Sequence, residues 1–230
     1  MSEILQGSIF FGLALTLLTY LLGVRLQKRT KTPLCNPLII ATLLIVAVLI
    51  LFNIPTETYN DGAKYVSFLL TPATVSLAVP LYEQLQVLKK NYGAILIGIF
   101  TGALTALVCV FLLALVFRLD HFGYVTALPK SITTAIGSPL AEEMGGSGAL
   151  TALIIVFTGT FGNMIAPYAC RWFRITDPVA KGVAIGTASH AIGTARALEM
   201  GEIEGAVSGL SIAVAGLMTV ALAPLFSGLI

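Results

Sequence analysis

Apolar and charged positions fall in long blocks along this chain rather than in short periods. Uncharged stretches run over 4–24, 32–56, 65–82, 91–117, 144–170 and 205–230. About 20 apolar residues cross the hydrocarbon core of a bilayer as a helix. The pattern therefore predicts an all-α polytopic membrane protein. Helices of this length account for nearly all of the chain, so a single integral membrane domain over 1–230 is expected.

Two segments read as poor ordinary spans. The first, 66–82, contains Thr71, Pro72, Ser76 and Pro80, and two prolines eight residues apart interrupt a helix ladder. The second, 182–198, is short, is interrupted by Gly186 and Gly193, and carries Ser189, His190, Thr194 and Arg196. Each is followed by an apolar helix rich in glycine: Gly93, Gly98 and Gly102 in one case, Gly205, Gly209 and Gly216 in the other. Offset by about 115 residues, the halves read alike, with repeat one over about 1–117 and repeat two over about 121–230.

The basic residues set the topology. Arg25, Lys28, Arg29, Lys31, Lys89, Lys90, Arg171, Arg174 and Lys181 go to the cytoplasm by the positive-inside rule. Lys64 and Arg118 remain outside. The 91–117 span then ends outside and the 144–170 span starts outside. The intervening 121–143 begins and ends on one face, and its Ser, Thr, Gly and Pro content favours a re-entrant hairpin over a surface segment. The result is about seven transmembrane helices plus that hairpin, with the N-terminus outside and the C-terminus cytoplasmic. The first broken segment then runs inward and the second outward. Inverted repeats with two discontinuous helices are the sequence pointer to a secondary-transporter site. A broken helix leaves unpaired N–H groups and a positive dipole end at midplane, which suits a small anionic substrate.

Composition narrows the alternatives. The chain is 57% hydrophobic and 10% charged, against about 25% charged in soluble domains. A net charge of +2 gives no footing for nucleic acid. Cys35, Cys109 and Cys170 match no metal or disulfide spacing, and two histidines supply no His-rich metal site. No P-loop, H-E-x-x-H or G-x-S-x-G motif is present, so neither an enzyme nor a bound cofactor is expected.

Candidate site residues are the polar groups inside apolar segments. Arg196 either pairs with a substrate carboxylate or reaches out to Glu199, Glu202 or Glu204. His190 either binds substrate, carries a proton or makes an interhelical hydrogen bond. Lys130 is an anion contact or an interfacial anchor. Ser131, Thr133, Thr134, Ser189, Thr194, Thr71 and Ser76 offer neutral hydrogen bonds to ligand or backbone, with Pro72, Pro80, Gly186 and Gly193 as the helix breaks. Glu142 and Glu143 leave room for proton or cation coupling. Asn36 and Asn163 are expected to satisfy backbone groups near helix breaks.

Two motifs carry a resemblance. Leu128-Pro129-Lys130-Ser131-Ile132-Thr133-Thr134, followed by the run from Gly186 to Arg196 (GTASHAIGTAR), resembles the LrgB/CidB family of bacterial inner-membrane proteins. Asn36-Pro37-Leu38 and Pro80-Leu81-Tyr82 match it as well, so the likeness covers essentially the whole chain. Around Ala135 to Gly146 the chain departs from the pattern, with Ala135 where related proteins often carry Pro. The resemblance implies a multi-pass protein of the bacterial plasma membrane. It also implies one of two functions. One is transport of small monocarboxylates or hydroxycarboxylates of the pyruvate, glycolate and glycerate class, as in the plastid glycolate/glycerate translocator. The other is holin- or antiholin-like regulation of murein hydrolase export and cell lysis. A small LrgA/CidA-type membrane subunit is the implied partner. A homodimer moving by alternating access is the expected working form.

Overall fold

Helix starts follow local chemistry. Asp177 accepts a hydrogen bond from Ala180 N at 2.8 Å and is followed by Pro178. Asp120 accepts from Gly123 N at 2.9 Å, and Ser147 from Leu150 N at 3.3 Å. Each side chain satisfies an N–H that a first helical turn leaves unpaired. In the computed structural model, residues 10–30, 36–69, 72, 75, 76 and 78–230 are described. The helices are α1 (Phe11–Thr30), α2 (Pro37–Leu51), α3 (Thr56–Phe68), α4 (Ala78–Glu83), α5 (Leu85–Phe117), α6 (His121–Ala127), α7 (Thr134–Glu143), α8 (Gly148–Trp172), α9 (Pro178–Met200) and α10 (Glu202–Ser227). Among the described residues, α5, α8 and α10 are long and apolar enough to cross a membrane, and α2 is a shorter apolar helix.

Packing divides the chain into two compact units, Met1–Ser76 and Leu77–Ile230. The division falls inside the first broken segment rather than at the repeat boundary near 117. In the first unit α1 packs against α2 and α3. Gly23 lets Pro37 Cα come within 2.9 Å of where a Cβ would sit. Thr16 Oγ1 and Tyr59 OH are 2.9 Å apart between α1 and α3. Asn36 caps α2 by accepting from Leu38 N at 2.9 Å, as its place before Pro37 predicts.

The second unit is organised around α5, α8 and α10. Leu88, Ile95 and Ile99 of α5 share one apolar cluster with Val207 and Ala215 of α10. Leu107, Val110 and Ala114 share another with Ala223. Rising numbers pair with rising numbers, so α5 and α10 run parallel. α8 runs the other way: Thr151, near its start, donates to Thr126 O at 2.8 Å, beside the end of α5.

Two hairpins fill this frame from opposite ends. α6 and α7, joined through 128–133, form the first. Its ends meet at His121, whose Nε2 lies 3.2 Å from Met144 O while Nδ1 lies 2.7 Å from Ile230 O. α9 forms the second. It is two arms, 178–189 and 191–200, broken at His190, where φ is 42° and ψ is −142°. The arms fold back on each other. A Cβ on Gly193 would lie 3.2 Å from Ile185 O, and Lys181 Nζ is 3.4 Å from Glu204 Oε1.

These contacts correct the expected topology. Segment 182–198 does not cross; it returns to the end where it began. Consequently α10 starts at the Lys181 end and finishes at the His121 end. The chain's last residues lie at the mouth of the first hairpin, not opposite to it. Charge counting treated 182–198 as a crossing; its glycines and polar residues mark an interruption there but not a reversal. The inverted arrangement the structure contains is hairpin plus span, α6–α7 with α8 and α9 with α10. Its tips, Lys130 and His190, are 60 positions apart.

Candidate functional site

The first hairpin is anchored by buried side chains and few polar ones. Tyr124, Val125, Leu128 and Ile132 pack on Leu107, Val110 and Ala223. Tyr124 OH donates to Phe226 O at 2.9 Å. Thr126 Oγ1 accepts from Ser147 N at 3.0 Å, tying α6 to the start of α8. Gly137 lies against Ile155 of α8 and Pro129 O, so the turn sits partway down α8. The tip carries Lys130, whose Nζ is 3.1 Å from Ser131 Oγ. Among the described residues, no carboxylate pairs with Lys130; the ion pairs join Lys64 to Asp61, Lys181 to Glu204 and Arg196 to Glu199.

The second hairpin's tip rests on glycines of α8. A Cβ on Gly159 would lie 2.5 Å from His190 Cε1, and one on Gly162 would strike Ser189 Oγ. Small residues permit such close backbone approach between membrane helices. His190 is 3% exposed, and its Nε2 donates to Ile155 O at 3.0 Å. Asn163 Nδ2 donates to Ile192 O at 2.8 Å, just past the break. Free carbonyls at a helix break are costly in a membrane unless protein satisfies them, and Asn163 performs that task here.

Both tips reach one cavity of about 330 Å³. Lys130, Thr158, Gly162, Ala188 and Ser189 line its inner end, with Cys170 and Ile175 toward the Lys181 end. Among the described residues, Lys130 is its only charged lining group. The rest is apolar save for the hydroxyls of Thr158 and Ser189. The cavity lies beside residues 158–170 of α8, from the middle of that 25-residue helix toward its C-terminal end.

Of the residues singled out in the sequence, Lys130 and Ser189 come together at this cavity. Ser131 is buried beside Lys130. Thr133 is the N-cap of α7 without a side-chain capping bond, and Thr134 is exposed. Thr194 is spent on structure: its Oγ1 donates to His190 O at 2.9 Å and lies 2.7 Å from Ser208 Oγ. Arg196 bonds Glu199 through Nη1 and Asn163 O through Nε at 3.2 Å. The break of α9 is at His190, not at the flanking glycines. Gly186 is filled by Ser208 O and Gly193 by Ser189. Ser76 belongs to the first unit, where it donates to Pro72 O at 2.8 Å. Thr71 lies outside the described residues, and Pro80 falls within α4. Thr158 and Gly162 were not singled out in the sequence. Nothing in α8 distinguishes them from lipid-facing positions until the second hairpin is seen to fold back onto it.

The LrgB-like family model matches residues 16–229. The chain belongs to the LrgB family. It is 38% identical over 218 residues to the antiholin-like protein LrgB of Bacillus cereus strain B4264, covering 94% of this chain and 95% of that one. The figures are the same for the antiholin-like protein LrgB of Bacillus anthracis strain CDC 684 / NRRL 3495. No solved structure matches. The matched region of this LrgB-family chain includes both hairpins and the cavity between them, so the arrangement lies wholly within the family's extent.

Proposed function

We propose that this chain carries small monocarboxylates or hydroxycarboxylates across the bacterial plasma membrane by alternating access. The observation that supports it most is the meeting of two hairpin tips, from opposite ends, at a cavity with one lysine. A charge held near a bilayer's middle costs about 3 kcal/mol or more, and Lys130 has no carboxylate among the described residues to offset this. A ligand carboxylate supplies the missing partner. The hydroxyls of Thr158 and Ser189 suit a 2-oxo or 2-hydroxy group, and apolar walls exclude a second charge. Each hairpin controls access from its own end, which is what alternating access needs. The positive-inside rule places the Lys181 end in the cytoplasm. Family membership supports pairing with an LrgA-type subunit.

The names of these relatives favour a second reading, antiholin-like control of lysis. The readings separate in liposomes holding this chain alone. Saturable uptake of labelled pyruvate, glycolate or glycerate, with large dyes retained, is the expected result. Dye leakage without saturable uptake overturns the carrier reading.

A further inference from the structure

Two polar ties of the second hairpin's return arm go to one residue of α8, Asn163. Pro167 lies inside that helix. Proline has no N–H, so the i→i−4 bond that Pro167 would make to Asn163 O is missing. That carbonyl accepts instead from Arg196 Nε at 3.2 Å. The Asn163 side chain also holds the return arm, through Ile192 O at 2.8 Å. One residue of α8 thus grips residues 191–200 at two points about one turn apart.

Besides this grip, Ile192 of the arm packs on Gly159 of α8, and Thr194 ties the arm to Ser208 of α10. The arm's length is ten residues, and helices shorter than about 12 residues are marginal by themselves. A further apolar contact is a small cluster of Ala166, Ile185 and Ala197 with Met200 at its edge. Arg196, meanwhile, is not free for a ligand. Nε is engaged by Asn163 O and Nη1 by Glu199, so its charge is balanced within its own arm. It is also absent from the cavity wall that Lys130 and Ser189 share.

We infer that Arg196 is a positioning residue: it latches the return arm of the second hairpin to the carbonyl that Pro167 leaves open, and does not bind the transported anion. The inference rests on the carrier reading for its transport consequence, though the latch stands without it. Ala197 of that arm packs with Ala166 and Ile185, two residues of the cavity wall, so releasing the latch loosens the wall toward the Lys181 end, where Cys170 is buried.

The test uses the full chain in liposomes with Cys170 as its sole cysteine, comparing Arg196→Gln, Pro167→Ala and the double variant. Pro167→Ala touches neither Arg196 nor the cavity, but it restores an N–H to compete for Asn163 O. Both single variants are expected to raise the rate of Cys170 maleimide labelling severalfold. The double variant should label no faster than the faster single one, because both release the same contact. KM for labelled pyruvate should stay within about twofold while Vmax changes. An Arg196→Gln variant whose KM rises tenfold with unchanged labelling makes Arg196 a ligand and overturns the proposal. So does Pro167→Ala with wild-type labelling. If wild-type liposomes take up no carboxylate, the carrier reading fails, while the labelling series still decides the latch.

Discussion

Lys181 Nζ and Glu204 Oε1 lie 3.4 Å apart, although the chain between them travels to the middle of the unit and back. Their pairing closes the mouth of the second hairpin. Glu204 is 7% exposed. Removing its partner leaves a buried carboxylate uncompensated, which costs up to about 3–5 kcal/mol for fully buried pairs and less for this partly open one. Lys181→Ala is expected to lower the melting temperature of the detergent-purified protein, and Lys181→Ala with Glu204→Gln to recover most of the loss. Equal melting temperatures for wild type and Lys181→Ala contradict this account of the mouth.

Sidedness provides a second check. Glu143 and Gly228 are both near the His121 end, whereas Glu202 is near the Lys181 end. All three positions are exposed. Single cysteines at 143 and 228 should react with an impermeant maleimide from the same side of oriented vesicles. A cysteine at 202 should react from the other. Labelling of 143 and 228 from opposite sides would restore the topology that charge counting predicts and exclude the second hairpin.

Glycines at the tip are expected to differ sharply from glycines elsewhere. A Cβ on Gly162 collides with Ser189 Oγ, while one on Gly93 meets nothing within 4 Å. Gly162→Ala should lose transport and stability together, by about 1–3 kcal/mol as for overpacking in a close-packed interior. Ser189→Gly should restore part of the stability by vacating the collision. Gly93→Ala should be neutral or stabilising by up to about 1 kcal/mol, since alanine is the better helix former. Thermal unfolding of Gly162→Ala, Gly162→Ala with Ser189→Gly, and Gly93→Ala beside wild type checks the ordering.

His190 combines a left-handed φ of 42° with a buried ring bond to Ile155 O. A non-glycine residue held in such a region costs about 1–3 kcal/mol. His190→Ala keeps the backbone strain and loses the ring bond. His190→Gly loses the same bond but relieves the strain. The glycine variant should therefore unfold at a higher temperature than the alanine variant. The reverse order would mean that the reversal at 190 carries no strain.

Much of this was legible in the chain itself. The ends of 121–143 had to share a face once Arg118 and Arg171 were assigned, and His121 does meet Met144 O. Asn163 could be read as a backbone partner because an amide in an apolar run needs one, and Ile192 O is that partner. The second hairpin was not legible. Its reversal is made by a histidine, while the glycines beside it serve close packing against Ser208 and Ser189. Arg196 had two open readings in the sequence, and the carbonyl left open by Pro167 is a tertiary partner 33 positions away that no local pattern announces.

The central claim is that Lys130, at the meeting of the two tips, receives the carboxylate. Its most direct test is uptake of labelled pyruvate into liposomes holding equal amounts of wild type, Lys130→Arg or Lys130→Met, with insertion verified. Saturable uptake by wild type, reduced in the arginine variant and lost in the methionine variant, is the predicted result. Uptake by Lys130→Met with wild-type KM and Vmax would contradict it.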